Sequence, residues 1–224
     1  SAPIYVAKAD KVVIELAAGT TNTVSDATTY AYASADVDEP NAAIFSTADL
    51  TIFGEGALVV NGNANDGIAS KDGLIIAGGN ITVTAVDDGV RGKDYLVVEG
   101  GSLTVTAGGD GLMADNADDT SLGYVDIQAG SIVVNAGGDA ISAETDVTVS
   151  DGTLALTSGG GAPSRSAAES NVVRGSMASA SLTRCPIGSI PPLRMWVKTV
   201  GWTTIFTHVP ARGGGCLLYT SDAA

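Results

Sequence analysis

Apolar and polar residues alternate with period two in short runs that recur along the first 161 residues, a pattern that predicts half-buried β-strands. Four stretches align without gaps at their starts: GALVVNGNANDGIASKD (56–72), GNITVTAVDDGVRGKD (79–94), GSLTVTAGGDGLMADN (101–116) and GSIVVNAGGDAISAET (130–145). A fifth copy, GTLALTSGGG (152–161), begins and stops, and a degenerate earlier one ends in NAAIFSTADL (41–50). Taking Ala43, Gly67, Gly89, Gly111 and Ala140 as anchors, the spacings are 24, 22, 22 and 29 residues. The longest spacing holds an insertion within 115–123, and insertions in repeat folds map to loops on one face.

Stacked in register, the copies give inward columns. Leu58, Ile81, Leu103, Ile132 and Leu154 form one; Val60, Val83, Val105, Val134 and Leu156 form a second; Gly62, Ala85, Ala107, Ala136 and Ser158 form a third. The residues between them, among them Val59, Thr82, Thr104 and Val133, point outward. A second strand precedes each of these, as in Leu74–Ile76 and Leu96–Val98, and a third, shorter one follows the Asp-Gly turn, as in Gly89–Arg91. No segment with a 3.6-residue period separates them. The predicted fold is all-β: a right-handed parallel β-helix of about five coils, three short strands to each coil of about 22 residues. A single coil cannot bury its own apolar column, so stability must come from stacking on its neighbours.

Composition then divides the chain. Residues 1–161 carry 5 Lys and Arg against 23 Asp and Glu, whereas residues 162–224 carry 6 against 2 and hold both Cys, both Trp and the only His. The repeat also ends at Gly161. The expected organisation is a parallel β-helix domain over 1–161, truncated at its C-terminal side, followed by a non-native tail over 162–224 of frame-shifted or chimeric origin that closes in CLLYTSDAA. A start at Ser1 reads as a processed or truncated piece. No apolar run is long enough for a membrane span, and the net charge of −14 repels nucleic acid.

The turn that ends each copy carries Asp66, Asp88, Asp110 and Asp139, with Asn65 and Asp87 beside them. Two readings stand. Asp and Asn before Gly suit tight turns. Stacking also sets these carboxylates about 5 Å apart, where they raise one another's pKa unless a cation intervenes. Calcium takes six to eight oxygen ligands, which such an edge supplies, so Asn65, Asp66, Asp87, Asp88, Asp110 and Asp139 are the expected metal set and Ca²⁺ the expected cofactor. Beyond the anchors, Lys71 beside Asp72 reads as an ordinary surface ion pair, and the same reading stands for Lys93 beside Asp94 alongside a role in binding. Arg91 stands alone among Ala69, Met113 and Ser142, either as a charge balancer or as a grip on a uronic-acid carboxylate. Tyr95 and Tyr124 open successive coils, where they stack on a sugar ring or cap the sheet. Before residue 162 there is neither His nor Cys, which excludes triads, zinc sites and thiol chemistry there.

Through the phrases NAAIFSTADLTIFGEGALVVNGNANDGIASKD, TAVDDGVRGKD, TAGGDGLMADN and NAGGDAISAET in this order, the chain resembles bacterial carbohydrate-binding β-helix proteins with a pectate-lyase-like fold, from about Tyr5 to Gly161. The resemblance implies a secreted or surface-attached protein that binds cellulose-like and pectic polysaccharides of the plant cell wall and holds calcium. Arg91, Lys93, Tyr95 and Tyr124 are the expected carbohydrate-binding residues. The alternative is calcium-dependent β-elimination of polygalacturonate, for which Arg91 or Lys93 would have to serve as the base. A third class, ice binding, needs an unbroken T-x-T ladder, and Val59/Asn61 and Val133/Asn135 interrupt it after two coils. The expected state is a monomer, with the uncapped last coil as the place for edge association.

Overall fold

The computed structural model describes residues 1–159 except 33 and 35, together with 180–182, 197–200 and 203–206. The expectation of a non-native tail over 162–224 lies for the most part outside the described residues. Of that stretch the structure describes three short strands, β19 (Ala180–Leu182), β20 (Val197–Val200) and β21 (Thr203–Phe206).

The described part of the chain winds as a three-sided parallel β-solenoid, with no helix among its described elements. Sheet A contains β1 (Ile4–Val6), β4 (Ala42–Ser46), β7 (Asp66–Ser70), β10 (Val90–Gly92), β13 (Leu112–Ala114) and β16 (Ile141–Ala143). Sheet B contains β2 (Val12–Leu16), β5 (Leu50–Gly54), β8 (Gly73–Ile76), β11 (Tyr95–Val98), β14 (Tyr124–Ile127) and β17 (Val147–Val149). Sheet C contains β3 (Thr21–Ser25), β6 (Ala57–Gly62), β9 (Asn80–Ala85), β12 (Ser102–Ala107), β15 (Ser131–Ala136) and β18 (Thr153–Ser158), with β19 paired in parallel on β18. Every third strand is a neighbour, so the chain passes A, B, C and returns to A one rung higher.

The three inward columns read from the repeat are the register of sheet C, residue for residue, from Leu58–Ile81 through to Ala136–Ser158. Together with inward Ile, Leu and Val of sheets A and B they form one continuous core. Each Leu, Ile or Val so buried contributes about 1.5–3 kcal/mol relative to exposure, and aliphatic side chains recurring in the same columns let it pack without large aromatics.

Two features differ from the sequence reading. A first coil precedes the copies: β1 pairs with β4, β2 with β5 and β3 with β6, which makes six rungs rather than about five. It lacks the Asp-Gly turn, and its inward Ile4, Ile14 and Val24 are only partly buried because they are covered from one side. The long connection from β3 to β4 then folds over the outer face of sheet A. Tyr30 Oη lies 2.6 Å from Asp26 Oδ2 and 3.0 Å from the Ala42 carbonyl, Tyr32 Oη donates to the Pro40 carbonyl, and Glu39 pairs with Lys71. On the same sheet Phe45, on the outward side of β4, is buried against Ala42 and Ala69, with the Tyr5 ring 5.8 Å away.

Candidate functional site

The Asp column stands at the corner where sheet C turns into sheet A, and it is a ladder. The Asp88 N–H donates to Asp66 Oδ1 (3.3 Å), the Asp110 N–H to Asp88 Oδ1 (2.8 Å), and the Asp139 N–H to Asp110 Oδ1 (2.8 Å). Asp66, Asp88 and Asp110 therefore each hold the turn of the next coil, and Asn65 Nδ2 adds a bond to Asp66 Oδ1. This is the turn chemistry that Asp before Gly suits, extended across rungs. Among the described residues no three acidic, His or Cys side chains converge on a common point. Two carboxylate oxygens do converge: Asp87 Oδ1 and Asp88 Oδ1 lie 2.4 and 2.6 Å from where a Cβ on Gly109 would stand.

The ladder is costly to charge. Asp66 is 1% exposed, and burial first, then the neighbouring Asp88, pushes its carboxyl up to about 7 despite the opposing pull of Arg91. Burial likewise takes Asp88 up to about 6, against the Asp110 amide that favours its charged form. Asp139 is raised by burial and by Asp110. These are the shifts expected where desolvation and like charge act together.

Arg91 sits mid-sheet in A, in register with Ala69 and Met113. Nη2 bonds Asp115 Oδ2 at 2.7 Å, and Nη1 faces Asp66 Oδ2 at 3.6 Å. Burial alone would lower its pKa, but Asp115, Asp66 and Asp88 outweigh it and raise it. Those three carboxylates therefore hold the guanidinium in its charged form. Lys93 is placed differently: it faces Asp118 Oδ2 at 3.9 Å, on a side chain 91% exposed.

The corner between sheets A and B gathers the remaining expected residues. Tyr95 and Tyr124 are paired in register and stack, with ring centroids 5.6 Å apart and planes 17° from parallel. The Tyr95 ring lies over Gly73, where an added Cβ would come within 2.0 Å of its Cζ, and its hydroxyl reaches Asp49 Oδ1 at 3.4 Å. Both rings are half-buried. Lys93 precedes them by one turn, and the insertion 115–123 closes the corner. Asn116 fixes that loop: it is 7% exposed, its Oδ1 accepts from the Asp118 and Asp119 amides, and its Nδ2 donates to Asp94 Oδ1 at 2.6 Å. The backbone completes the clamp through Asn116 N–H to the Lys93 carbonyl and Gly123 N–H to the Asp94 carbonyl. Lys93, Tyr95 and Tyr124 thus share one corner with the loop, and Arg91, on the outer face of sheet A, reaches the same loop through Asp115. Tyr32, 38% exposed and against Tyr30, is an aromatic on the sheet A side that the repeat could not reveal, because it stands in the connection before the regular copies.

A family model described as "Carbohydrate-binding domain-containing protein" matches residues 1–185, running past the end of the repeat at Gly161. A carbohydrate-binding domain-containing protein of Acetivibrio thermocellus is 51% identical over 85 residues, which are 38% of this chain and 30% of that protein. The chain thus matches less than a third of the length of this curated relative. The gadolinium derivative of the polysaccharide lyase-like protein from C. thermocellum is 35% identical with a TM-score of 0.60, covering 83% of this chain and 67% of that one.

Proposed function

This chain belongs to the family of carbohydrate-binding domain-containing proteins, and from that premise we propose that it is an extracellular, non-catalytic module that binds plant cell-wall polysaccharide at the corner of sheets A and B. The observation that carries the reading is the stacked Tyr95–Tyr124 pair beside Lys93 and the clamped insertion loop. Aromatic rings offer an apolar body with a polar tip, which suits the alternating faces and hydroxyls of a sugar. Lys93, weakly engaged by an exposed Asp118, supplies the charge that a uronic acid requires, while the surrounding acids disfavour a polyanion without cation assistance. Titration of soluble glucans and of polygalacturonate tests the corner. Tyr124→Ala and Lys93→Ala are expected to weaken binding about tenfold each, the worth of one stacking or charge-assisted contact of roughly 1–1.5 kcal/mol. Wild-type affinity in both variants would overturn the location.

Calcium enters as part of the same proposal. The donor set does not form a closed cage; it offers the paired oxygens of Asp87 and Asp88 over Gly109, with Asp110 and Asp139 continuing the row. A cation held there would complete its shell from backbone carbonyls, water or the carboxylates of an acidic polysaccharide. After chelation, added calcium is expected to raise the melting temperature, and calorimetry that finds it unchanged would remove calcium from the picture.

A further inference from the structure

The three outer faces differ in chemistry. Sheet A carries Arg91 and its carboxylates, and sheet B carries Glu15, Glu99 and Asp126 at or beside its strands. The six paired strands of sheet C, β3 to β18, carry no charged residue. Their central outward row runs Thr23, Val59, Thr82, Thr104, Val133 and Ala155, and the rows on either side consist of Thr, Ser and Asn with the single Ala57. In a segment with 23 acidic residues, three uncharged rows across six strands set this face apart from the rest of the surface. The strands are paired without a bulge, and Val133, 44% exposed, lies open on the face.

Because the coil has three sides, the corner of sheets A and B lies across the core from sheet C. We propose that sheet C is a second docking face, for an uncharged extended polysaccharide, and that the molecule thereby bridges two polysaccharide chains, one on each side of the solenoid. The proposal rests on the polysaccharide-binding reading of the corner and adds a second site to it. Charge selects the occupant. An uncharged polymer meets a face where no ion must be desolvated, whereas a polyanion approaching it feels the acidic corners on both sides. Hydroxyl and amide rows repeat every rung, ~4.8 Å, a spacing comparable to that of successive sugar units, so the same donor and acceptor groups can be offered along an extended chain.

The test is a sandwich experiment with the full chain. An insoluble uncharged β-glucan is used to sediment the protein, and labelled soluble polygalacturonate is then added to the pellet. Wild type is expected to sediment and to recruit the label. Thr82→Glu/Thr104→Glu should lose sedimentation at least tenfold while still binding polygalacturonate in solution; Lys93→Ala/Tyr124→Ala should sediment and lose recruitment. Far-ultraviolet circular dichroism checks the fold, and Val133→Lys, at an exposed position, replaces the double variant if that one does not fold. Undiminished sedimentation of the sheet C variants overturns the proposal, as does loss of both ligands together. If light scattering finds a wild-type dimer that the sheet C substitutions dissociate, the face holds a second copy of the chain and the proposal falls. Polygalacturonate binding without any glucan sedimentation removes the second face alone; binding of neither polymer removes the corner reading as well.

Discussion

Gly89→Ala is expected to lower the melting temperature by roughly 6–12 °C, the equivalent of about 3 kcal/mol in a domain of this size. A Cβ at Gly89 would stand 2.3 Å from Val105 Cγ1 and 2.7 Å from the carbonyl oxygen of Gly111, and backbone in the next rung cannot retreat without breaking sheet A pairing. Gly67 and Gly111 meet the same obstacle, against Val83 Cγ1 and the Gly89 carbonyl, and against Val134 Cγ1 and the Ala140 carbonyl. Only at the ends of the column, at Ala43 and Ala140, does a methyl stand at this position. The comparison that isolates the cause is Gly100→Ala, where nothing lies within 4 Å and φ is not positive. That variant should melt within about a degree of wild type, since a surface change away from such contacts stays within about ±0.5 kcal/mol. Equal melting temperatures for the two variants would refute the steric account of the anchor column.

Mild acid should stabilise this protein, in contrast to most acidic domains. Asp66 and Asp88 titrate at about 7 and about 6 in the folded state against 3.8 when unfolded, so the folded chain binds more protons between these limits. For groups raised in this way, the stabilisation is complete below the unfolded pKa and is lost as pH rises through the folded one. A tenfold change in proton affinity is worth about 1.4 kcal/mol, and the two neighbouring carboxylates share the effect, so the melting temperature is expected to fall by several degrees from pH 5 to pH 8. Asp66→Asn keeps an oxygen for the Asp88 amide and removes the larger of the two titrations; its profile should be flatter over pH 5–8. A melting temperature that climbs from pH 5 to pH 8 would contradict the burial of these carboxylates. Repeating the series with calcium separates the two ways of settling the ladder. A cation that occupies it should rescue stability at pH 8 and do little at pH 5, because protons and calcium compete for the same oxygens.

The spacing of Gly67, Gly89 and Gly111, the period-two alternation and the shift to 29 residues before Ala140 are enough to define the coil, the inward columns and the place of the insertion. In a solenoid each residue's neighbour is its own equivalent one repeat away, so linear spacing is also spatial contact. That is why the Leu58 to Leu154 column is legible in the spacing alone and recurs unaltered in the register of sheet C. The first coil escapes such a reading because its strands have no Gly-Asp turn to align, although its alternation of Val12, Ile14 and Leu16 follows the same rule.

What lay beyond the sequence was decided by side-chain direction and by depth. Spacing alone places the Asp residues one rung apart, but it does not say whether their oxygens meet around a cation or reach for the amide of the next turn; in the folded chain Oδ1 of three of them takes the amide. Nor does a lone Arg among acids reveal whether it is free, and only packing sets Arg91 within reach of both Asp66 and Asp115. The stacking of Tyr95 on Tyr124 needed Gly73 beneath it, and the clamp on the insertion needed Asn116 to be buried. The repeat therefore determined the scaffold, because scaffold contacts are local and periodic; the tertiary structure decided the chemistry of its corners, because burial and hydrogen-bond competition there depend on residues one or more coils away.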